Sequence, residues 1–600
     1  MTASRSYLPS SSKKRKSSND DAIARVRQLE SRLTSALSEN ASLNPLADLL
    51  DIALNAEDYG TLVKAIYALY RVFVLIISGG LLLSQDKADQ DHQTVKIWLS
   101  DRLNAYVELL CGLLKDEEAT VRTSALQILL SLQKHLSASL TRYTLSETVS
   151  QPQFHISHFR KIVNALLKCP PSRRQSTTSK KARTVGSPAQ DNVLEADVRH
   201  TFVESWLSVH DDIRWFFLRE AGNIVANQSM SEDSCVPQNL LAILEGLTTF
   251  PTEPSELNAW WVEELGVRPP KHKVSGEEEE NEDVEHAKVD AEDDWRTFFD
   301  QEPTASDATK SKIPTARVHT LTLHQSLHSL ASHRAVFTRT WLALLPRLSA
   351  QSSESRTYSL RVLNILHRGV IPHLTRPVLV MDWVASCVDY GGTVGLLALN
   401  ALFTLMKEYN LDYPSFYTRL YTFIDRDVLH LKHRARFFRL TELFLSSTHL
   451  PATLVAAFVK RLSRLSLNAP PAAIIMIIPF TYNLLKRHPA SMSMIHRGDS
   501  ADSNVFDMSE PNPTLSNALD SSLWELYTHK SHYHAAVSTL ACIFEEAFTR
   551  PAYSMEDFLD HTYGTLFDTE AQRRIRKDPA VSLDSRPGAE GDIVSDLWDF

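Results

Sequence analysis

Histidine is the residue type in this sequence with the clearest capacity to bind a metal ion, because 23 histidines occur and some are closely spaced. His324 and His328 are four residues apart, which would place both imidazoles on one face of a helix. His319 and His333 lie in the same stretch, but neither a carboxylate nor a cysteine stands in register with them. A second group consists of His529, His532 and His534. We interpret both groups as hydrogen-bonding histidines on helices and predict no metal site.

Sequence motifs for catalysis and nucleotide binding are absent. None of the patterns GxGxxG, HExxH, GxSxG or GxxxxGK followed by Ser or Thr occurs, and no pair of carboxylates is singled out for acid–base chemistry. The five cysteines lie at least 58 residues apart, which excludes a clustered zinc finger and argues against a disulfide framework. We therefore expect a reduced, intracellular protein that is not an enzyme and needs neither a cofactor nor a small-molecule substrate.

Basic residues are concentrated between positions 426 and 464, where eight lysines or arginines stand against two acids. Their spacing places two groups of three on one face of two successive helices. The first stripe is Lys432, Arg436 and Arg439, with Arg434 beside it. The second stripe is Lys460, Arg461 and Arg464. Such stripes either bind the phosphates of RNA, or pair with acids of a partner, or stay solvated, and the sequence leaves these alternatives open.

Three segments of extreme composition separate the apolar parts of the chain. Residues 10–18 read SSSKKRKSS, and the four consecutive cations are Lys13, Lys14, Arg15 and Lys16. We interpret this run as a nuclear import signal, with a plain basic terminus as the alternative. Residues 172–188 are basic and contain no acid, whereas residues 275–294 carry eleven acids against one base. Such runs of like charge repel themselves, so we expect solvated linkers.

The remaining sequence has the spacing of apolar residues that is typical of helices. One stripe is Leu109, Leu110, Leu113 and Leu114, and the next is Val121, Ala125, Ile128, Leu129 and Leu132. Residues 116–122 between them resemble the turn of a HEAT repeat. Further helices are predicted at Val394–Met406, Arg434–Leu445, Leu454–Leu467 and Ile474–Leu485. Since strand-type alternation is nearly absent, the predicted fold is all-α, a HEAT-like or armadillo-like helical repeat (α-solenoid) with disordered charged linkers.

Two apolar runs, 72–83 and 469–485, are shorter than a membrane-spanning helix needs or are interrupted by prolines, so we interpret both as core helices. Residues 1–20 lack the apolar stretch of a signal peptide. The predicted organisation is a basic disordered tail (1–20), a HEAT-like region (21–170), a basic linker (171–194), a further helical region (195–268), an acidic disordered linker (269–312), a large helical domain (313–560) and a C-terminal tail (561–600).

Long strings in the large helical domain allow a comparison with a known family. They are NLDYP at 410–414, KHRARFFRL at 432–440, SSTHLP at 446–451, AAFVKRLSRL at 456–465, APP at 469–471, YNLLKRHP at 482–489, SSLWEL at 521–526, HY at 532–533 and EDFLD at 556–560. In these strings the sequence resembles the CCAAT-binding-factor domain of the nucleolar complex (Noc) family. The resemblance is strong from about Val362 to Asp560 and weak before it, except at 211–214 and 294–299.

The resemblance implies a nucleolar assembly factor that works without catalysis. Members of the family bind nucleolar protein 14 and join the small-subunit processome, where pre-rRNA is processed and the small ribosomal subunit is assembled. We therefore expect a nuclear and nucleolar scaffold in an obligate complex with a nucleolar protein 14 homologue and with other processome proteins. Direct binding of pre-rRNA through the basic helix faces is the alternative. A DNA-binding transcription factor ranks last, because no helix-turn-helix, zinc or basic-zipper signature occurs.

The partner-binding block is predicted on the helices around Arg434–Arg464 and Ile474–Trp524. Within it Trp524, and also His532 and Tyr533 just after it, are either anchors for a partner or core residues. The core interpretation is favoured, because aromatic residues at helical spacing usually pack inward.

Overall fold

The structure is a computed structural model of the 600-residue chain. It describes residues 12–39, 41–56, 58–83, 90–145, 151–171, 193–228, 235–269, 322–349, 355–413, 415–430, 434–496 and 505–574, with side chains described except at 12–19, 90–92 and 144–145. These ranges contain helices, turns and loops but no strand, which confirms the all-α prediction. The chain divides into two compact units, Met1–Asp412 and Tyr413–Phe600.

The first unit is built from helices that pack mainly on near neighbours in the chain, as expected of a helical repeat. Its α-helices are α1 Ser12–Glu39, α2 Pro45–Asn55, α3 Tyr59–Ser78, α4 Gln90–Leu113, α5 Ala119–Leu145, α6 Ile156–Lys168, α7 Ala196–Phe202, α8 Asp211–Asn227, α9 Val236–Gly246, α10 Leu323–Leu327, α11 Leu330–Ser349, α12 Ser355–Ile365, α13 Met381–Val388 and α14 Gly392–Tyr409. Short π-helices follow α7 and α12, at Val203–Leu207 and Leu366–Val370. Single 3₁₀ turns lie at Pro254–Glu256, Glu263–Gly266, Ile371–His373 and Pro377–Val380.

The turn between α4 and α5 has the predicted construction. Every residue of the stripe that begins at Leu109 and of the stripe that begins at Val121 is buried. Both helices therefore bury the predicted face. Asp116 accepts a hydrogen bond from the Glu118 amide at 3.1 Å, which satisfies one of the amides that a helix start leaves free. The Arg122 guanidinium donates to the Asp116 carbonyl at 2.6 Å and so closes the turn from the other side. The predicted repeat turn is thus held by its acid and its arginine.

Helix α3 is, among the described residues, the one helix long and apolar enough to cross a membrane. It includes part of the apolar run 72–83. Its side chains Leu62, Ile66 and Phe73 are buried, and the helix packs against α1, α2 and α5. An apolar stripe that is covered on several sides by neighbouring helices is what a core helix requires. The packing therefore accounts for the apolar character of α3.

Helix α8 connects earlier and later helices of the first unit by packing against both. It packs against α6 on one side and against α11 on the other, although α11 comes more than 100 residues later in the chain. The contact with α11 is close, because a Cβ atom at Gly222 would lie 3.2 Å from Oγ1 of Thr340. The Thr340 hydroxyl also donates to the Leu218 carbonyl at 2.8 Å. This contact joins residues on both sides of the undescribed segment 270–321.

The second unit contains shorter helices around two long buried ones. Its α-helices are α15 Phe416–Phe423, α16 Arg426–His430, α17 Arg434–Phe444, α18 Ala452–Ser466, α19 Pro471–Arg487, α20 Trp524–Thr528, α21 Ala535–Ala541, α22 Glu556–Leu559 and α23 Tyr563–Gln572. Single 3₁₀ segments lie at Pro489–Met494, Pro513–Leu515, Ala518–Asp520, His529–Ser531 and Cys542–Phe544. Helices α18 and α19 pack on each other, and nearly all of α19 is buried. The predicted helices in this region are present, each ending within a few residues of its predicted bounds.

Both predicted terminal tails contain helix. Helix α1 begins at Ser12, inside the predicted tail 1–20, and lysine and arginine are good helix formers that permit this extension. Helix α23 lies inside the predicted tail 561–600, where Thr562 and Thr565 form a capping box. The charged linkers, from 172 to 192 and from 270 to 321, lie outside the described residues. Residues 322–412 belong to the first compact unit, whereas the sequence groups them with 413–560.

The five cysteines are all free thiols. Cys542 is exposed and the other four are buried. Burial raises the pKa of Cys111 to about 12 and that of Cys387 to about 11, so these thiols stay protonated at neutral pH.

Candidate functional site

The second predicted basic stripe lies on α18, where its cations are used inside the second unit. Lys460 is completely buried, and its ammonium group donates to the Glu525 carboxylate at 2.7 Å and to the Ser522 carbonyl at 2.6 Å. Arg464 reaches the same carboxylate at 3.0 Å. Burial lowers the pKa of Lys460, and the hydrogen bond to Glu525 opposes this effect. One buried carboxylate therefore binds two cations of the stripe.

Arg461 is also directed into the unit. Its Nε donates to the Ile424 carbonyl at 2.7 Å, and its guanidinium lies 4.5 Å from the centre of the Tyr421 ring. All three members of the stripe thus have partners within the chain. The interpretation that Lys460 binds phosphate is wrong, because a fully buried ammonium group already paired with a carboxylate cannot reach a ligand at the surface.

The first predicted stripe lies on and before α17. Lys432 is outside the described residues, and Arg436 has interactions with neighbouring groups. Arg439 makes a two-pronged ion pair with Glu556 at 2.7 and 2.5 Å, with both side chains about half exposed. Arg434 is buried, donates to the His561 carbonyl at 2.6 Å and lies over the Tyr563 ring. Two of these arginines therefore hold the chain around α22 and α23 against α17.

The aromatic candidates are more exposed than predicted. Trp524 is 43% exposed and Tyr533 is 83% exposed, so the favoured interpretation of these two as core residues is wrong. His532 is half-buried, stacks on Tyr533 with ring centres 4.4 Å apart, and accepts a hydrogen bond from the His534 amide at 3.0 Å. These side chains begin and follow the short helix α20, which is too small to cover them.

The ring of Trp524 is held in place by charge. The guanidinium of Arg464 lies 5.0 Å from the ring centre and the ammonium of Lys460 lies 6.0 Å from it, within the range of cation–π attraction. Since both cations are fixed by Glu525, the indole has a fixed support on one side. The interior salt bridge therefore positions a surface aromatic residue.

A cavity of about 270 Å³ opens beside Trp524. Its walls include Leu526, Phe544 and Met494, and Tyr527 and Lys530 lie at its edge. Tyr527 is 69% exposed, and the Lys530 ammonium pairs with Glu545, another lining residue. The sequence did not indicate Tyr527, Lys530 or Phe544. The only feature of the sequence that could have indicated them is the close spacing of aromatic residues around residue 530. That spacing does not show on which side of a short helix a ring lies.

The histidine groups that suggested a metal ion are engaged in hydrogen bonds. The Nε2 atoms of His324 and His328 lie 3.2 and 2.9 Å from the Leu265 carbonyl, so both rings donate to one oxygen. Nε2 of His333 donates to the Leu327 carbonyl at 2.8 Å, and His529 is hydrogen-bonded to the Ser466 hydroxyl at 2.8 Å. Within the described part of the chain, no group of three or more metal-binding side chains is brought together.

The candidate import signal cannot be placed. Lys13, Lys14, Arg15 and Lys16 fall in the first turns of α1, where side chains are outside the described set. His319 lies outside the described residues as well.

Comparisons with known proteins cover both units. A family model described as "CBF/Mak21 family" matches residues 395–541, and one described as "Nucleolar complex protein 4-like, TPR repeats" matches residues 15–230. Tetratricopeptide repeats, like HEAT repeats, stack pairs of helices, so the second match fits the helical-repeat prediction.

Individual relatives align with this chain over different fractions of its length. An uncharacterized protein of Schizosaccharomyces pombe is 31% identical over 574 residues, which cover 94% of this chain and 99% of the relative. Nucleolar complex protein 4 of Saccharomyces cerevisiae is 41% identical over 287 residues, and the human homolog of that name is 43% identical over 267 residues. These two alignments cover 44% and 43% of this chain and 51% of each relative, so the chain matches about half the length of the named relatives.

Proposed function

Because this chain belongs to the nucleolar complex protein 4 family, which combines helical repeats with a CBF/Mak21 domain, we propose that it is a non-catalytic scaffold in the assembly of the small ribosomal subunit. The chain is a nucleolar and hence nuclear protein of this family. Within the nucleolus it would act in the small-subunit processome and support pre-rRNA processing. Its direct partner would be a nucleolar protein 14 homologue, with which it would form an obligate complex.

The observation that carries this proposal is the aromatic surface around the cavity of the second unit. Trp524 and Tyr527 line a mainly apolar cavity of about 270 Å³ and are exposed to solvent. Tryptophan and tyrosine are enriched at the energetic centres of protein interfaces, where a side chain of one partner fills a pocket of the other. A surface of this kind suits the insertion of an apolar side chain from a protein partner.

Charge supports a protein partner over RNA at this surface. The nearby cations Lys460 and Arg464 are bound to Glu525, and Lys530 is bound to Glu545. An RNA site needs cations that can exchange their counterions for phosphates. Here each cation already has a carboxylate, so little electrostatic attraction remains for a phosphate backbone.

The experiment is affinity purification of the full chain from nuclear extract, with and without ribonuclease, followed by identification of the proteins recovered. We expect the nucleolar protein 14 homologue to be recovered in near-equal amount and to survive ribonuclease. Tyr527→Asp should lower its recovery at least ~10-fold, because a charge at the edge of the cavity opposes apolar docking. Phe567→Asp is the matched control, since Phe567 is 75% exposed in the same unit but does not line the cavity.

One result would contradict the scaffold proposal, and another would contradict the docking site assigned to it. If ribonuclease removes every partner, the chain is held in its complex by RNA, and direct pre-rRNA binding becomes the function to pursue. If the partner survives ribonuclease but Tyr527→Asp and Phe567→Asp behave alike, the scaffold remains and the cavity is not its docking site.

A further inference from the structure

The cavity beside Trp524 adjoins the last described helix of the chain. Two residues that line the cavity, Ala541 and Phe544, belong to or pack against one apolar cluster of the second unit. The members of this cluster are Ile474, Ile475, Ile478, Tyr482, Val537, Ala541 and Ile543. Leu566 packs against the same cluster and is the one side chain of α23 that is not exposed. Helix α23 is therefore anchored on the cluster that contributes a wall of the cavity.

Residues 592–600, which lie outside the described residues, have a sequence suited to an apolar groove. Five of them are large apolar residues, namely Ile593, Val594, Leu597, Trp598 and Phe600. The three acids are Asp592, Asp596 and Asp599. At about 3.6 residues per turn, this spacing puts the apolar residues on one side of a helix and the aspartates on the other. Peptides with such spacing bind grooves as amphipathic helices with the apolar face inward.

The chain between α23 and this segment is long enough to reach the cavity. Ile593 follows Arg574, the last described residue, by 19 residues. A chain of that length can span up to roughly 60 Å, whereas a compact unit of this size is roughly 40 Å across. A segment tethered in this way acts at an effective concentration of about a millimolar, so even a weak intrinsic affinity fills the cavity.

Charge around the cavity does not oppose an acidic segment. The charged side chains that line it or contact Trp524 are Lys460, Arg464, Lys530, Glu525 and Glu545. The cations in this set outnumber the acids by one. The aspartates of the segment therefore meet no net repulsion, and the burial of the apolar face supplies the free energy of docking.

We propose that segment 592–600 docks its apolar face in the cavity beside Trp524 of the same chain, and that a protein partner displaces it. Docking covers Trp524 and Tyr527, which are 43% and 69% exposed among the described residues. Tryptophan is the residue type that gains most from such burial, so Trp598 is the principal anchor of the segment. The displacement rests on the function proposed above, whereas the docking itself does not.

The test is photo-crosslinking of the full chain with p-benzoyl-phenylalanine in place of Trp598. After illumination and digestion, we expect crosslinks from position 598 to fragments that contain Met494 or Phe544, which line the cavity. The same amino acid in place of Leu583, between α23 and the segment, should give at least ~10-fold fewer of these crosslinks. Tyr527→Asp should lower the crosslinks from position 598 at least ~10-fold, because a charge at the edge of the cavity opposes apolar docking.

Three results would overturn the docking. The first is no excess of cavity crosslinks from position 598 over those from position 583. The second is equal crosslinking with and without Tyr527→Asp. The third comes from a mixture of isotopically light and heavy chains, in which crosslinks between a light and a heavy chain would assign the cavity to the segment of a second copy.

Crosslinking of the complex with the nucleolar protein 14 homologue tests the displacement. The crosslinks from position 598 to the cavity should fall at least ~10-fold in the complex relative to the isolated chain. Crosslinks that persist in the complex would overturn the displacement. If the isolated chain shows cavity crosslinks but no partner is recovered from nuclear extract, only the function proposed above fails. If Tyr527→Asp lowers the recovery of the partner but the isolated chain shows no cavity crosslinks, only the docking of the segment fails.

Discussion

Lys460 is the residue on which the second unit depends most directly. Removing a charged ammonium group from water costs several kcal/mol, and only good pairing offsets that cost. Here the pairing is complete, because Glu525 accepts from Lys460 and Arg464 while the Ser522 carbonyl takes a further hydrogen bond from Lys460. The three charged groups carry a net positive charge, and the faces of Trp524 and Phe506 lie 6.0 Å from the ammonium. The network therefore links the core of the unit to its exposed tryptophan.

Glu525→Gln should destabilise the second unit by about 3–5 kcal/mol, because Lys460 would remain buried without a counter-charge. Urea unfolding followed by circular dichroism measures the effect. Glu556→Gln is the control, since its ion pair with Arg439 is exposed and should be worth about 1 kcal/mol or less. The double variant Lys460→Met/Glu525→Leu should recover much of the loss. If Glu525→Gln and Glu556→Gln lower the free energy of unfolding equally, the buried ion pair contributes no more to stability than the exposed one.

At the scale of the element, the start of α8 shows how a helix end can hold a loop. The Asp212 carboxylate accepts hydrogen bonds from the amides of Trp261 and Val262 at 3.0 and 2.9 Å, and the Asp211 carboxylate accepts from the Ala259 amide at 3.1 Å. Negative charge is favourable at a helix N-terminus, so these aspartates serve the helix and the loop together. The Trp261 indole then donates to the Leu130 carbonyl at 2.9 Å and ties the loop to α5.

Asp212→Ala should release the loop around residues 258–262. The buried Val262 amide and the partly buried Trp261 amide would lose their acceptor, at a cost of up to about 1–3 kcal/mol each. Hydrogen exchange of the Trp261 and Val262 amides should become at least ~10-fold faster, and the denaturation midpoint should fall. Glu253→Ala is the control, because it alters an exposed cap in the same loop region without touching Asp212. Unchanged exchange at both amides would rule out this role of Asp212.

At the scale of the whole molecule, both units bury neutral histidines. Burial lowers the pKa of His158 to about 4, of His333 to about 3 and of His529 to about 4. Below a pH of about 6.5 the unfolded chain binds protons at these rings that the folded chain does not, so stability falls as the pH falls towards about 4. Asp212 acts in the opposite direction, because burial raises its pKa to about 6 and favours the folded state on protonation.

Burial also raises the pKa of Asp211 and Glu442 and lowers that of further histidines, such as His155 and His373. The histidines with a lowered pKa outnumber the carboxylates with one raised by burial, so acid should destabilise the protein well before its surface carboxylates titrate. His158 alone should lose about 2 kcal/mol of stability between pH 7 and pH 5. In His158→Gln, which keeps a donor for the Leu129 carbonyl, the difference between the urea-unfolding free energies at these two pH values should shrink by about that amount. A difference equal to that of the wild type would show that His158 is not a source of the acid sensitivity.

The sequence was sufficient to predict the helices and insufficient to predict what the basic residues do. The stripes that begin at Leu109 and Val121 are local, because residues three and four apart share a helix face, and both are buried as predicted. The partner of Lys460 is 65 residues away, and no local spacing reveals it. The same holds for Arg219, whose neighbour Arg339 is brought near only by the packing of α8 on α11.

The prediction that Trp524 and Tyr533 are core residues failed for a related reason. Periodicity assigns a ring to a helix face, but the single turn of α20 does not have a face large enough to cover Trp524. Whether a ring is core or surface there depends on which elements pack beside it, and that is a property of the tertiary structure.

The exposure of Cys542 makes the protein easy to follow in solution. It is the only accessible thiol of five, and it follows Ala541, which lines the cavity beside Trp524. A maleimide dye added to the folded, unmodified chain would therefore attach at one position, since the four buried thiols are shielded and remain protonated or unreachable. The unaltered sequence thus supplies a single-site fluorescent reporter whose emission would change when a partner covers the cavity.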